Sequence, residues 1–316
     1  MEKIKLALLS GGSSQEREVS QRAGDVIFNA LDKEKYEVFR YDPKEDLMKF
    51  FIDASTGKFD IVFPALYGTA GEDGSLQGML DLLKVPYLFS GLLTSAIAMN
   101  KYSTKMIVKT LGISVAKDMV LKRGESVDVK KIISTLGLPL VVKPMEQGSS
   151  IGVSIVHTKE ELEDAIKNAH DHSLSALLES YIKGREFTVA VMGNKMPEAL
   201  PVIEIIPKVS SWFDYKAKYE DGGADEICPA VVPDDLKNSL QQAAVDIFKI
   251  LDCRDLARAD FIVDSTTNLI HFIEMNTIPG MTKNSLLPKA AKESGIPFSE
   301  LLERIITEAI KNRSEK

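Results

Sequence analysis

Residues 272–282 read Phe-Ile-Glu-Met-Asn-Thr-Ile-Pro-Gly-Met-Thr: an apolar strand end with two oxygen-bearing side chains, then a Pro-Gly turn. Alternation along a strand puts Glu274 and Asn276 on one face. A third oxygen, Asp260, stands in the apolar run over 258–263, two residues after Arg258. Oxygen-only ligands of this kind suit Mg²⁺ held against phosphates. The plainer reading of two scattered carboxylates is a solvated strand face. The turn over 277–282 argues against it, because its backbone N–H groups stand beside the same oxygens.

Upstream, Lys143-Pro144 closes an apolar run and is followed by Gly148-Ser149-Ser150 and Gly152. A lysine at a strand end with a Gly-Ser-Ser turn can fold over phosphates, although an ordinary surface hairpin has the same composition. Residues 13–20, Ser-Ser-Gln-Glu-Arg-Glu-Val-Ser, open the first helix. A glutamate there suits the helix dipole, and it can also hold an ammonium group. Gly71-Glu72-Asp73-Gly74 reads equally well as a capped helix start. His157, His170, His172 and His271 stand outside these clusters and read as structural or exposed. The chain has no GxGxxG and no GxxxxGK[ST], which excludes a Rossmann dehydrogenase and a Walker-type NTPase.

Strand-like runs at 5–9, 36–41 and 60–66 alternate with helical patterns at 19–31 and 76–83, which implies an open parallel α/β sheet. A helix is expected from Thr94 to about Leu111, then a small α+β module to about 180. Strands at 187–192, 199–205, 226–229, 258–263 and 269–275 follow, with a long helix over 234–251 and closing helices near 287–293 and 298–311. Residues 208–223 show no periodicity, as functional loops of that length do.

The chain has 316 residues and a formal net charge of −7, so it has no cationic excess for a duplex-binding face. With 44% hydrophobic and 27% charged residues it is too apolar for a disordered chain. No apolar run approaches the roughly 18–20 residues of a membrane span. The first residues, Met-Glu-Lys-Ile-Lys, lack the apolar core of a signal peptide. Cys228 and Cys253 make no CxxC. A soluble cytoplasmic protein is expected, with no membrane or nucleic-acid partner.

Taken in order, these segments resemble the D-alanine–D-alanine ligases of the ATP-grasp superfamily. The resemblance runs through Gly11-Gly12-Ser13-Ser14, Glu16 to Ser20, Gly71 to Gly74, Lys143-Pro144, Gly148 to Ser150, Glu186-Phe187-Thr188, Tyr215, Lys218-Tyr219, Arg258 and Asp260. It continues through Glu274, Asn276-Thr277, Pro279 to Thr282 and Ser285-Leu286. It implies an ATP-grasp α/β fold of three domains, 1–93, 94–182 and 183–316, with ATP between the last two. It also implies that Lys101 and Lys143 contact ATP phosphates, with Glu179 and Glu186 near adenine and ribose. Asp260, Glu274 and Asn276 would hold two Mg²⁺ ions, or Mn²⁺. Glu16 would bind the first D-alanine's ammonium, with Ser149 and Tyr219 linked to it. Lys218 would lie near the transferred phosphate. Arg258 and the Gly280 N–H would stabilise the oxyanion, and Ser285 with the Leu286 N–H would hold the second substrate's carboxylate. A homodimer belongs to the same expectation.

That chemistry is coherent. A carboxylate is a poor acyl donor, so ATP converts it to an acyl phosphate, which the second amine attacks. Such transfer needs positioning and charge neutralisation. An acyl phosphate would hydrolyse in water, so residues 208–223 are expected to close the site. Lys218-Tyr219 follows the dipeptide pattern, and an amine is the expected nucleophile. Three positions depart from the family: Tyr67 for histidine, Leu88-Phe89 for a small Thr/Val-Gly pair, and Asn100 for aspartate. The Leu88-Phe89 and Tyr67 departures favour, as the alternative, an ATP-grasp ligase joining a different D-amino or D-hydroxy acid pair. A nucleotide-binding protein without ligase activity is disfavoured because the metal oxygens and Arg258 are all present.

Overall fold

The structure is a computed structural model that describes residues 2–208, 222–282 and 285–314. Strand β1 (Ile4–Ser10) is the middle of a parallel sheet, flanked by β2 (Tyr36–Tyr41) and β3 (Ile61–Ala65). Beside β3, Tyr87 adds a single parallel bridge to Val62. Helix α1 (Arg17–Ala30) covers one face, where Val19, Ala23 and Ile27 pack on Leu6, Leu8 and Phe63. The other face is covered by α3 (Ser75–Leu83) and by α2 (Pro43–Ser55), which the sequence reading did not anticipate. Its start was legible: Asp42 accepts the Lys44 N–H at 3.0 Å, with proline at the first helical position. Its periodicity was not, because Leu47, Met48, Phe51 and Ile52 are exposed and blur the apolar stripe.

The helix expected from Thr94 to Leu111 is two helices, α4 (Leu92–Met99) and α5 (Lys101–Lys109). Asn100 breaks them apart in an extended conformation, and its side chain accepts the Ser103 N–H at 2.9 Å to cap α5. A short polar side chain that bonds the backbone locally competes with helix continuation. A second sheet follows, ordered β5 (Asp118–Lys122), β8 (Ser175–Ser180), β6 (Leu140–Pro144), β7 (Ser154–Val156). Helices α6 (Val129–Leu136) and α7 (Leu162–His172) bury their apolar residues against it.

The third sheet runs β12 (Ala224–Ile227), β11 (Ile203–Pro207), β9 (Gly184–Met192), β13 (Leu256–Asp264), β14 (Ile270–Asn276) and β4 (Ser114–Val115), with β10 (Glu198–Ala199) on β9. The single strand expected over 199–205 is thus two, broken around Pro201, which has no N–H to give a ladder. Helix α8 (Asp234–Ile250) covers one face, packing Leu240, Ala244, Ile247 and Phe248 on Phe187, Ala259, Phe261, Phe272 and Met275. Phe272 and Met275 share that face because the ladder slips between Asp260 and Phe261: Glu274 pairs with Asp260 but Phe272 with Phe261, leaving Ile273 as a bulge. Unbroken alternation would have put Phe272 beside Glu274. The bulge lets Glu274 and Asn276 turn away from the core.

Helices α9 (Leu286–Glu293) and α10 (Phe298–Ser314) return to the first sheet. Leu286, Leu287, Leu301, Leu302, Ile305 and Ile306 join the same core as Val19, Ile27 and Phe63. Among the described residues no helix is long and apolar enough to cross a membrane.

Candidate active site

The face of the third sheet turned away from α8 carries three rungs across β9, β13 and β14. They are Ala190–Arg258–Asn276, Thr188–Asp260–Glu274 and Glu186–Ile262–His271. Strand pairing alone therefore brings together the oxygens that lie far apart in sequence. Asp260, almost fully buried, accepts from Thr188 Oγ1 at 2.5 Å, from Arg258 in a two-pronged pair at 2.9 Å each, and from Asn276 Nδ2 at 3.0 Å. Glu274 pairs with Lys101 Nζ at 3.3 Å. Among the described residues no cluster of three or more His, Cys, Asp or Glu side chains forms. The donor set here is two carboxylates and one amide. Hard oxygens on one face, beside cations that would meet phosphate, fit Mg²⁺ bound with waters and a nucleotide. His271 shares this face, and its Nδ1 is buried with no hydrogen-bond partner among the described residues.

Lys101 opens α5, and its backbone N–H reaches Met145 O at 3.1 Å, tying the turn after β6 to the metal-side face. Lys143, at the end of β6, pairs with Glu179 Oε2 at 2.5 Å. The other Glu179 oxygen meets Lys105, which is 1% exposed and also reaches Asp118 Oδ2 at 2.7 Å and Ala116 O at 2.9 Å. Burial alone would raise the Glu179 carboxyl. The charges of Lys143 and Lys105 overcome that and hold it below the usual carboxylate range. Lys105 escaped the sequence reading; its only signal was a second lysine one helical turn after Lys101.

Across the cleft, Glu16 stands just before α1 without a side-chain bond to the helix backbone, and lies buried. Its carboxylate accepts from Ser149 Oγ, a contact that joins the first unit to the turn after β6. Ser149 and Ser150 both hold left-handed backbone, at φ 52° and 60°, conformations costly for side-chain-bearing residues. A Cβ on Gly148 would stand 3.4 Å from Glu16 Oε2 and 3.9 Å from Glu72 Oε2, so both carboxylates face one turn. Glu72 accepts the Gly68 N–H at 2.8 Å. Burial pushes its carboxyl well above the usual range, and the Glu16 charge adds to the shift. A buried carboxylate and a half-buried one side by side favour a cation between them. The sequence reading weighed the Glu72 segment and assigned it no site.

At the far end of β14, a Cβ on Gly280 would fall 2.9 Å from Ser285 Oγ, so the turn needs glycine there. Ser285 Oγ accepts the Thr282 N–H at 3.0 Å, and Leu286 begins α9 with its N–H at a helix N-terminus, where anions are favoured. Two of the three departures are explained by packing. Leu88 and Phe89 are fully buried, Phe89 edge-on to Phe63 at 5.5 Å, and Asn100 caps a helix. Tyr67 is the one that remains near the site. Tyr215, Lys218 and Tyr219 lie outside the described residues.

Residues 107–307 match the family model "D-ala D-ala ligase C-terminus" and residues 41–90 "D-ala D-ala ligase N-terminus". The D-alanine–D-alanine ligase of Syntrophobacter fumaroxidans is 46% identical over 312 residues, covering 98% of this chain and 99% of that protein. The crystal structure of the Bacillus anthracis D-alanine–D-alanine ligase complexed with ATP matches at TM-score 0.84 and 32% identity, over 99% of each chain. The VanG D-Ala:D-Ser ligase of Enterococcus faecalis matches at TM-score 0.85 and 32% identity, over 98% of this chain and 100% of that one. The three-sheet α/β architecture is the ATP-grasp fold of these ligases. With matches of that extent at both levels, the chain belongs to the D-alanine–D-alanine ligase family.

Proposed function

We propose that this chain joins two D-alanines into D-alanyl-D-alanine at the expense of ATP, through an acyl phosphate, for peptidoglycan precursor synthesis. The observation that carries the reading is the single sheet face holding Asp260, Glu274, Asn276 and Arg258, with Lys101 paired to Glu274.

Glu16, with Glu72 beside it, holds the ammonium of the first D-alanine and so aims its carboxylate at the phosphates. Lys101 and Lys143 neutralise those phosphates, while Glu179 and Glu186 address the adenine and ribose. Asp260, Glu274 and Asn276 would hold two Mg²⁺ ions, which Mn²⁺ could replace and which neutralise charge developing on the transferred phosphoryl group. Arg258 and the Gly280 N–H take up the negative oxygen of the tetrahedral intermediate. Ser285 and the Leu286 N–H orient the second D-alanine by its carboxylate. Lys218, by the transferred phosphate, and Tyr219, directed toward Ser149, belong to the proposal on the resemblance alone.

The same reading divides the chain at 93/94 and 182/183 and places it in the cytoplasm. It makes the protein a homodimer, to which the exposed Leu47, Met48, Phe51 and Ile52 of α2 offer an apolar face. The likeness to a D-Ala:D-Ser ligase keeps one alternative alive, a different second acid. Phosphate release from purified protein, ATP and Mg²⁺ with a panel of D-amino and D-hydroxy acids decides between them. D-alanine alone should suffice and yield the dipeptide. Release only when D-serine or D-lactate is added would select the alternative, and release with no acid tested would leave a nucleotide-binding protein.

A further inference from the structure

Tyr67 follows β3 and is 5% exposed, in the core shared by both ends of the chain. Its hydroxyl accepts the N–H of Met281 at 3.1 Å, a buried bond between residues 214 positions apart. Met281 directly follows Gly280, whose backbone has no Cβ to limit it and therefore relies on ties from outside the turn. Ser285 supplies one tie, through the Thr282 N–H, and Tyr67 supplies the other. At its own backbone Tyr67 is held in turn: its C=O accepts from Ser14 Oγ at 2.7 Å, and Ser14 Oγ accepts the Glu16 N–H at 3.2 Å. One run of hydrogen bonds thus links Glu16, Ser14, Tyr67 and Met281.

On the function proposed above, Glu16 holds the ammonium of the first D-alanine and Gly280 faces the oxygen on that molecule's carbonyl carbon. The two ends of this run therefore touch the two ends of one substrate. We propose that Tyr67 is a positioning residue, a strut that fixes the Gly280 N–H at a set distance from Glu16. The requirement is for an acceptor at this place. Tyrosine offers a hydroxyl lone pair, phenylalanine offers none, and histidine offers one only while neutral.

The groups facing Tyr67 are Glu16 at the start of α1 and Glu72 in the turn after β3. Together with burial, which has the larger effect, they keep the phenol protonated far above neutral pH. Burial disfavours a charged imidazole there as it disfavours a phenolate, while the two carboxylates favour it, so a histidine would keep a neutral lone pair over much of the range.

The test uses the full chain as wild type, Tyr67→Phe and Tyr67→His, assayed with ATP, Mg²⁺ and D-alanine from about pH 5.5 to 8.5. ADP affinity and thermal unfolding are measured alongside. Tyr67→Phe should lower kcat about tenfold or more at every pH, since a buried N–H loses its acceptor, while ADP affinity stays within about twofold. Tyr67→His, whose neutral imidazole keeps an acceptor, should recover much of the kcat that Tyr67→Phe loses, most fully at about pH 8. A Tyr67→Phe enzyme with wild-type kcat, or a Tyr67→His enzyme no more active than Tyr67→Phe at about pH 8, overturns the strut and leaves the function standing. A wild-type protein with no D-alanine-dependent phosphate release overturns the function itself.

Discussion

At the scale of the residue, the proposed chemistry rests on oxygens placed where cations are wanted and N–H groups where anions would form. Glu274 shows the first. It shares a rung with Asp260 and pairs with Lys101, so on the proposed metal role an amide in place of its carboxylate removes the negative charge a cation would need without removing volume. Glu274→Gln should cut kcat by roughly a hundredfold or more with little change in melting temperature, and wild-type turnover at limiting Mg²⁺ would refute the metal assignment. Glu72 shows the opposite balance. Its folded carboxyl holds a proton more tightly than the unfolded chain does, because of burial and the Glu16 charge. The stability this gives is complete below the ordinary carboxylate range and is lost as pH rises through the raised folded value. Glu72→Gln is neutral at every pH, so without substrate it should melt a few degrees above wild type at about pH 8, with the gap closing toward about pH 5. Calorimetry at the two pH values decides it; a variant less stable at the higher pH would contradict the shift.

At the scale of the element, a break and a bulge do more for the site than the regular structure around them. Asn100 ends α4 and starts α5, which places Lys101 at a helix start facing Glu274 and the turn after β6. Loss of that cap in Asn100→Ala should cost about 1 kcal/mol, most of which Asn100→Ser should restore because serine also caps. Equal denaturation midpoints for all three proteins would show that α5 does not depend on the cap. Neither irregularity was evident from periodicity. An asparagine within an apolar pattern is compatible with a continuous helix. Phe272-Ile273-Glu274 reads as simple alternation until the partner strand fixes the register.

At the scale of the whole molecule, the chain's two ends build one core. The α1 face of the first sheet is covered by α9 and α10, so Leu6, Leu8, Val19, Ile27 and Phe63 are buried partly by residues almost three hundred positions later. A fragment of residues 1–93 would expose that face to water. It should aggregate or lose near-ultraviolet circular dichroism, whereas the full chain unfolds cooperatively. A soluble, cooperatively melting fragment would mean that the shared core is dispensable.

The sequence by itself determined the alternation of strands and helices, the family resemblance, and the identities of Asp260, Glu274, Asn276, Lys143 and Glu16 as candidates. These follow from local pattern and from the order of short motifs, which need no partner segment to be read. Tertiary structure alone decided which of them meet. Strand register set Asp260 opposite Glu274, the bulge at Ile273 turned Glu274 and Asn276 away from the core, and chain closure brought Tyr67 to Met281. It also made Lys105 a member of the site, since a lysine's role depends on whether carboxylates such as Glu179 and Asp118 surround it after burial. Pairing and burial are long-range properties, and their energies arise only when distant segments exclude water together.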